Sequence, residues 1–168
     1  FKKIYQNNRE INWKLILMGG SRNSPEKNNY LNHLKKLAAS LPIEFIVNPE
    51  FDELKEIYSK SKIYWHAAGF GVDEYLHPEE TEHFGMTVVE AMDSGLVPLV
   101  VAKGGLTEIV TESINGFTWQ SIDELVAKTQ LLIAAPGELD KLSKVAHSSS
   151  QIFSKENFES KFFDLIGQ

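Results

Sequence analysis

Glu82 and Glu90 stand with seven residues between them, and the stretch they enclose runs Phe84-Gly85-Met86-Thr87 into the apolar Val88, Val89, Ala91 and Met92. A glycine turn that opens into a helix leaves backbone N–H groups unpaired and places the positive end of the helix dipole beside them, a setting for a phosphate or diphosphate. A carboxylate on each side can accept hydrogen bonds from sugar hydroxyls. A vicinal diol suits it well, because two O–H donors meet two acceptor oxygens in charge-assisted bonds. The combination suits a nucleotide-sugar. Thr87 and Glu90 also fit a capping box, with Thr87 as the cap and Glu90 embedded in a buried helix. That alternative accounts for two residues and leaves Glu82, Phe84 and Gly85 without a role.

Beyond this stretch come Ser94-Gly95-Leu96-Val97-Pro98-Leu99-Val100-Val101, then Lys103-Gly104-Gly105-Leu106-Thr107-Glu108-Ile109-Val110, then Asn115-Gly116-Phe117. Taken in order from Glu82, these motifs resemble the donor-binding, C-terminal half of retaining glycosyltransferases of the GT-B fold, glycosyltransferase family 4. The shared features are the two glutamates with seven residues between them, the E-A-M strand approach, a G-G-x-x-E-I-V segment and an N-G turn.

The resemblance implies that Glu82 holds hydroxyls of the transferred sugar as the catalytic-site carboxylate, and that Glu90 holds the ribose diol. It implies donor contacts from His83 and from the backbone of Phe84, Gly85, Met86 and Thr87, with Gly104 and Gly105 on the second glycine turn. The loop opened by Phe51 would line the nucleotide base, although a plain strand-to-helix connection is the alternative there. By their place along the loop that leads to Glu82, His66 and His77 could each contact a donor phosphate or sugar, with a structural histidine as the alternative for both. Such enzymes need no bound metal. The family also carries a first strand and a loop with Arg and Lys upstream of the first helix; neither is in this sequence, and Arg9 and Lys14 sit on the wrong kind of connection to replace them. The acceptor site would belong to a preceding domain, so this chain alone is expected to bind donor without turning it over.

The elements that must position these residues follow from periodicity. Phe1 to Tyr5 starts without a cap, as though inside a helix, and the cluster Asn7 to Glu10 ends it. Trp13 to Met18 is a short apolar run before Gly19-Gly20-Ser21, as expected of a buried strand; the following Arg22 and Asn23 do not complete a dinucleotide-binding G-x-G-x-x-G. Tyr30, Leu31, Leu34, Leu37, Ala38 and Leu41 recur at helical spacing up to Pro42. Ile43 to Val47 and Ile63 to His66 read as further strands. Gly69 to Thr81 lacks an apolar period and reads as a functional loop running from a strand end to Glu82. Val97 to Val101 and Phe117 to Trp119 are strands, Leu106 to Val110 a short helix, and helical stripes follow through Leu125, Leu139 and Phe158, with Ser154 as a cap. The alternation predicts one α/β domain over residues 1–168, a Rossmann-like parallel sheet with helices on both faces; the resemblance implies that it is the C-terminal half of a GT-B fold.

Composition narrows the function further. The 168 residues are 42% hydrophobic, carry a formal net charge of −6 and include no cysteine. No basic stripe suggests nucleic acid, no disulfide framework is available, and no apolar run reaches membrane-spanning length. His66, His77 and His83 have neither H-x-x-x-H spacing nor a thiolate partner, so no metal site is expected. A cytoplasmic location is expected, at the cytoplasmic face of a membrane if the acceptor is lipid-linked, with peripheral contact through the other domain. The resemblance implies as partners a nucleotide-sugar donor and a glycan or lipid-linked glycan acceptor, the latter through the other domain. Two other classes share the pattern in part: a GT-B epimerase or phosphorylase-like enzyme, and a non-catalytic receiver-like module. The second would need an aspartate at a strand end, where this chain has Gly19, Asn48, His66 and Ala102.

Overall fold

The computed structural model describes residues 1–7, 9, 11–20 and 25–167. It contains two compact units, Phe1–Glu56 and Ile57–Gln168. Ser21 to Asn23, and the Asn8 and Glu10 positions of the first expected loop, lie outside the described residues.

The first unit holds α1 (Lys2–Asn7), β1 (Leu15–Gly19), α2 (Pro25–Ala38) and β2 (Ile43–Val47); α3 (Phe51–Lys60) crosses the boundary between the units. β1 and β2 pair in parallel, with Leu15 opposite Ile43 and Gly19 opposite Val47. Parallel neighbours need a crossover, and α2 supplies it. That helix stops at Ala38, ahead of the expected end at Leu41. Its last residues give way to turns in which the Ala39 and Leu41 amides donate to the carbonyls of Lys36 and Ala38.

The second unit holds β3 (Ile63–His66), α4 (Met86–Asp93), β4 (Val97–Val101), α5 (Leu106–Ile109), β5 (Phe117–Trp119), α6 (Ile122–Ala134), α7 (Pro136–Ser150) and α8 (Lys155–Ile166). Its strands lie in the order β3-β4-β5, all parallel, with His66 opposite Val100 and Val101 opposite Trp119. Every residue of β4 is buried. Successive strand residues point to opposite faces, so this pattern requires cover on both sides of the sheet, and α4, α6 and α7 all pack on β4. The parallel, two-faced α/β arrangement expected from the alternation is therefore the one observed.

The core explains why the ends of these elements are held fixed. Val88, Ala91 and Met92 of α4 are fully buried, with Val97, Leu99, Val100, Leu106 and Leu132. Each such aliphatic or thioether side chain beyond alanine contributes ~1.5–3 kcal/mol on burial. The spacing of 88, 91 and 92 puts one face of α4 on the sheet. Glu90 falls on the other. At the far end, Ser154 caps α8 by accepting from the Asn157 amide at 3.2 Å. The stripe of α8 expected to be apolar is present, but Phe158, Phe162, Leu165 and Ile166 are exposed.

Candidate functional site

His66 closes β3, Lys103-Gly104-Gly105 follows β4, and Gly85 precedes α4, so three chain segments meet at the carboxyl ends of parallel strands. Ligands of open α/β sheets bind in that position. The loop from Ala67 to Gly85 is tied to the second glycine turn at several points. Lys103 Nζ donates to the Val72 carbonyl. The Gly104 amide donates to Glu74 Oε2 at 3.3 Å, and the Gly105 amide donates to the Glu82 carbonyl at 3.0 Å. Asp73 Oδ1 accepts from the Tyr75 and Leu76 amides at 3.0 and 3.3 Å, and the Phe70 ring packs 5.1 Å from that of Trp119. The expected irregular loop includes a short 3-10 turn at Pro78–Glu80.

Glycine is required where the two turns touch. A Cβ on Gly105 would stand 2.0 Å from the His83 carbonyl oxygen, and one on Gly104 would stand 2.4 Å from that of Glu82. Gly85 has φ 91°, and a Cβ there would come within 2.8 Å of Leu106 Cδ2. Bare backbone on one turn is thus packed against bare backbone on the other.

The acidic residue that serves the start of α4 is Glu82. Its Oε1 accepts from the Gly85 amide at 3.1 Å and the Phe84 amide at 3.4 Å. The N-cap is Gly85 and no side chain caps the helix, so the expectation that Thr87 caps it is corrected: Thr87 is already the second helical residue. The expectation of an embedded Glu90 is corrected as well, because the buried face of α4 belongs to residues 88, 91 and 92 and Glu90 is exposed. The amides of Met86 and Thr87 have no partner among the described residues. They are the first two N–H groups of a helix, which no preceding turn can satisfy.

Behind the turn stands His66. Its Nε2 lies 3.5 Å from Glu82 Oε2, its side chain is only 10% exposed, and its Nδ1 is buried without a hydrogen-bond partner. Burial holds the imidazole below its ordinary value, against the opposing pull of the Glu82 carboxylate. The unfolded imidazole takes up its proton near pH ~6.5, the folded one only at lower pH. Between those two values the unfolded chain binds more protons, so stability rises with pH through that window and is level above it. Thermal unfolding of wild type and His66→Phe from pH 7 down to 5 checks this: the wild type is expected to lose more stability over that range than the variant.

The other expected site residues sit as follows. Met86 is 66% exposed beside the free amides, and Phe84 is half-exposed with its ring 5.5 Å from that of Phe153. His83 is exposed and gives its carbonyl to the contact with Gly105. Phe51 belongs to the first unit, exposed, with the Lys55 ammonium 4.1 Å above its ring. Sequence reading passed over Lys103, Glu74 and Tyr58. The Tyr58 phenol is held protonated above its ordinary value by burial first, then by Tyr64 and the Glu90 carboxylate. Spacing also passed over an exposed group of His77, Glu79 and Glu80, whose ligand atoms lie within 4.8 Å of one another. The arrangement as a whole offers unpaired donors to an anion and the carboxylates of Glu82, before them in the chain, and exposed Glu90, one helical turn after Met86, to hydroxyl groups.

The model of the family "Glycosyl transferases group 1" matches residues 1–148. The chain belongs to the group 1 glycosyl transferases. It is 35% identical over 156 residues to the GDP-Man:Man(3)GlcNAc(2)-PP-Dol alpha-1,2-mannosyltransferase of Xenopus laevis, a match covering 89% of this chain and 30% of that protein. This group 1 chain thus spans less than a third of the length of that curated relative. Among solved structures, sucrose-phosphate synthase from Thermosynechococcus elongatus superposes with a TM-score of 0.75 at 21% identity, over 99% of this chain and 41% of that one. Anabaena Alr3699/HepE in complex with UDP-glucose gives 0.72 at 19% identity, over 92% and 40%. These likenesses establish the fold of this glycosyl transferase domain as that of GT-B glycosyltransferase C-terminal domains.

Proposed function

We propose that this domain binds a nucleoside-diphosphate sugar across the start of α4 and, within a longer protein, gives the sugar to a glycan acceptor with retention of configuration, as a member of glycosyltransferase family 4. The observation that carries the proposal is the pair Glu82 and Glu90 bracketing the free amides of Met86 and Thr87. The diphosphate takes those amides, the ribose diol meets exposed Glu90, and the transferred sugar meets the part of Glu82 that stays open to solvent. Glu82 has one oxygen bound by two amides and the other beside His66. A carboxylate held in this way orients a sugar rather than attacking it. The backbone donors neutralise phosphate charge without a metal.

The name of the Xenopus relative supports GDP-mannose as donor and a lipid-linked glycan as acceptor. The acceptor site lies in the part of the longer protein outside this chain. We assign approach to a lipid-linked acceptor, at the cytoplasmic face of a membrane, to that other part; among the described residues no helix is long and apolar enough to cross a membrane.

Calorimetric titration with GDP-mannose and GDP, and with UDP-glucose and UDP as the alternative pair, tests the assignment. Glu90→Gln should weaken both members of whichever pair binds by about tenfold or more, the value of a charge-assisted hydrogen bond. Its unfolding midpoint should stay close to that of wild type, because Glu90 is exposed. Equal binding by wild type and an intact Glu90→Gln would remove the ribose role.

A further inference from the structure

Glu82 is held from two sides. In front, Oε1 accepts from the Phe84 and Gly85 amides. Behind, Oε2 faces His66 Nε2 at 3.5 Å. The histidine is the last residue of β3, sixteen positions before Glu82 and separated from it by the whole tied loop. Its ring has aromatic neighbours: its centroid lies 6.5 Å from that of Tyr64, which sits edge-on to Tyr58 at 6.1 Å.

The ring's two nitrogens differ sharply in surroundings. Nδ1 is buried and has no hydrogen-bond partner among the described residues. Nε2 faces a carboxylate, which can only accept. A single ring proton therefore belongs on Nε2, where it points at Glu82; a second proton would have to sit on Nδ1, buried and unpaired, at a desolvation cost. Among the described residues, Glu82 and Tyr64 are ionisable groups set against the ring.

We propose that His66 is a positioning residue, which as its neutral Nε2–H tautomer holds Glu82 in the orientation that meets the transferred sugar. The role rests on the reading in which Glu82 contacts the sugar, and it differs from direct donor contact by His66: the histidine acts through the carboxylate. A half-constrained glutamate would have to freeze its side chain when the sugar arrives, and a constrained one has already done so.

The tests separate the pair from the ligand. Nitrogen-15 shifts of the His66 ring in the ligand-free chain should show a neutral ring protonated on Nε2 at pH 7.5. Protonation on Nδ1, or a charged ring, would overturn the proposal whatever the chain binds. With GDP-mannose and GDP as probes, His66→Phe should lower the preference for the sugar-bearing ligand by about fivefold to tenfold while GDP binding stays within about twofold, scaled to one charge-assisted hydrogen bond weakened rather than lost. His66→Gln, which keeps an N–H donor, should restore the preference to within about threefold of wild type. Combined with Glu82→Gln, His66→Phe should add nothing, since both changes act on one contact. Additive losses would show that His66 meets the donor by itself and would overturn the positioning role. If the ring is protonated on Nε2 while wild type and Glu82→Gln have equal preference, the sugar contact of Glu82 is what fails, and the positioning role falls with it.

Discussion

Gly105→Ala should lower stability by roughly 3 kcal/mol or more and abolish measurable nucleotide-sugar binding. The added methyl would stand 2.0 Å from the His83 carbonyl oxygen and 2.7 Å from its carbon. Both are backbone atoms, so no rotamer change relieves the overlap. Gly105 has φ −64°, a conformation that alanine adopts freely, so the cost is one of space and not of backbone strain. Relief requires the Glu82 to Phe84 segment to move, which breaks the bond from the Gly105 amide to the Glu82 carbonyl and shifts the carboxylate with it. Gly137→Ala is the control. Its Cβ meets nothing within 4 Å, and it should be neutral or stabilising by up to ~1 kcal/mol. Chemical denaturation of the two variants beside wild type reads the difference directly. A Gly105→Ala chain as stable as wild type would show that the two turns are not locked together.

Glu82→Gln is expected to separate sugar recognition from nucleotide recognition. The amide side chain keeps a carbonyl oxygen for the Phe84 and Gly85 amides and loses the charge that strengthens bonds from sugar hydroxyls. Affinity for GDP-mannose should fall by about tenfold to a hundredfold, while GDP stays within about threefold. Glu82→Ala should do more. It also frees two amides of the turn, so stability should fall by ~1–3 kcal/mol and GDP should weaken along with GDP-mannose. Equal loss of both ligands in Glu82→Gln would place the carboxylate away from the sugar.

The strands of the second unit were legible because each is a short run of β-branched, aromatic or aliphatic residues bounded by polar or glycine-bearing segments: Ile63 to His66, Val97 to Val101 and Phe117 to Trp119. Ser154 was legible as a cap because capping is decided within three residues. The start of α4 was misread for a matching reason. Thr87-x-x-Glu90 is a local signature, but the helix begins one residue ahead of Thr87, after a glycine with left-handed φ where Leu106, twenty-one positions on, leaves no room for a Cβ. The ties that fix the site were not legible at all. Lys103 to Val72, Gly104 to Glu74 and His66 to Glu82 join residues separated by sixteen positions or more, and no short-range pattern encodes which of many charged residues will meet.

The site itself is tested most directly by recording amide nitrogen–proton spectra of the 168-residue chain during titration with GDP-mannose. The expected result is that the largest shifts fall on Phe84, Gly85, Met86 and Thr87, with the Met86 and Thr87 amides moving downfield as unpaired donors gain a phosphate acceptor. Glu90→Gln should reduce those shifts at equal ligand concentration. Saturable shifts confined to other surfaces, with the amides of residues 84–87 unchanged, would contradict a donor site at the start of α4.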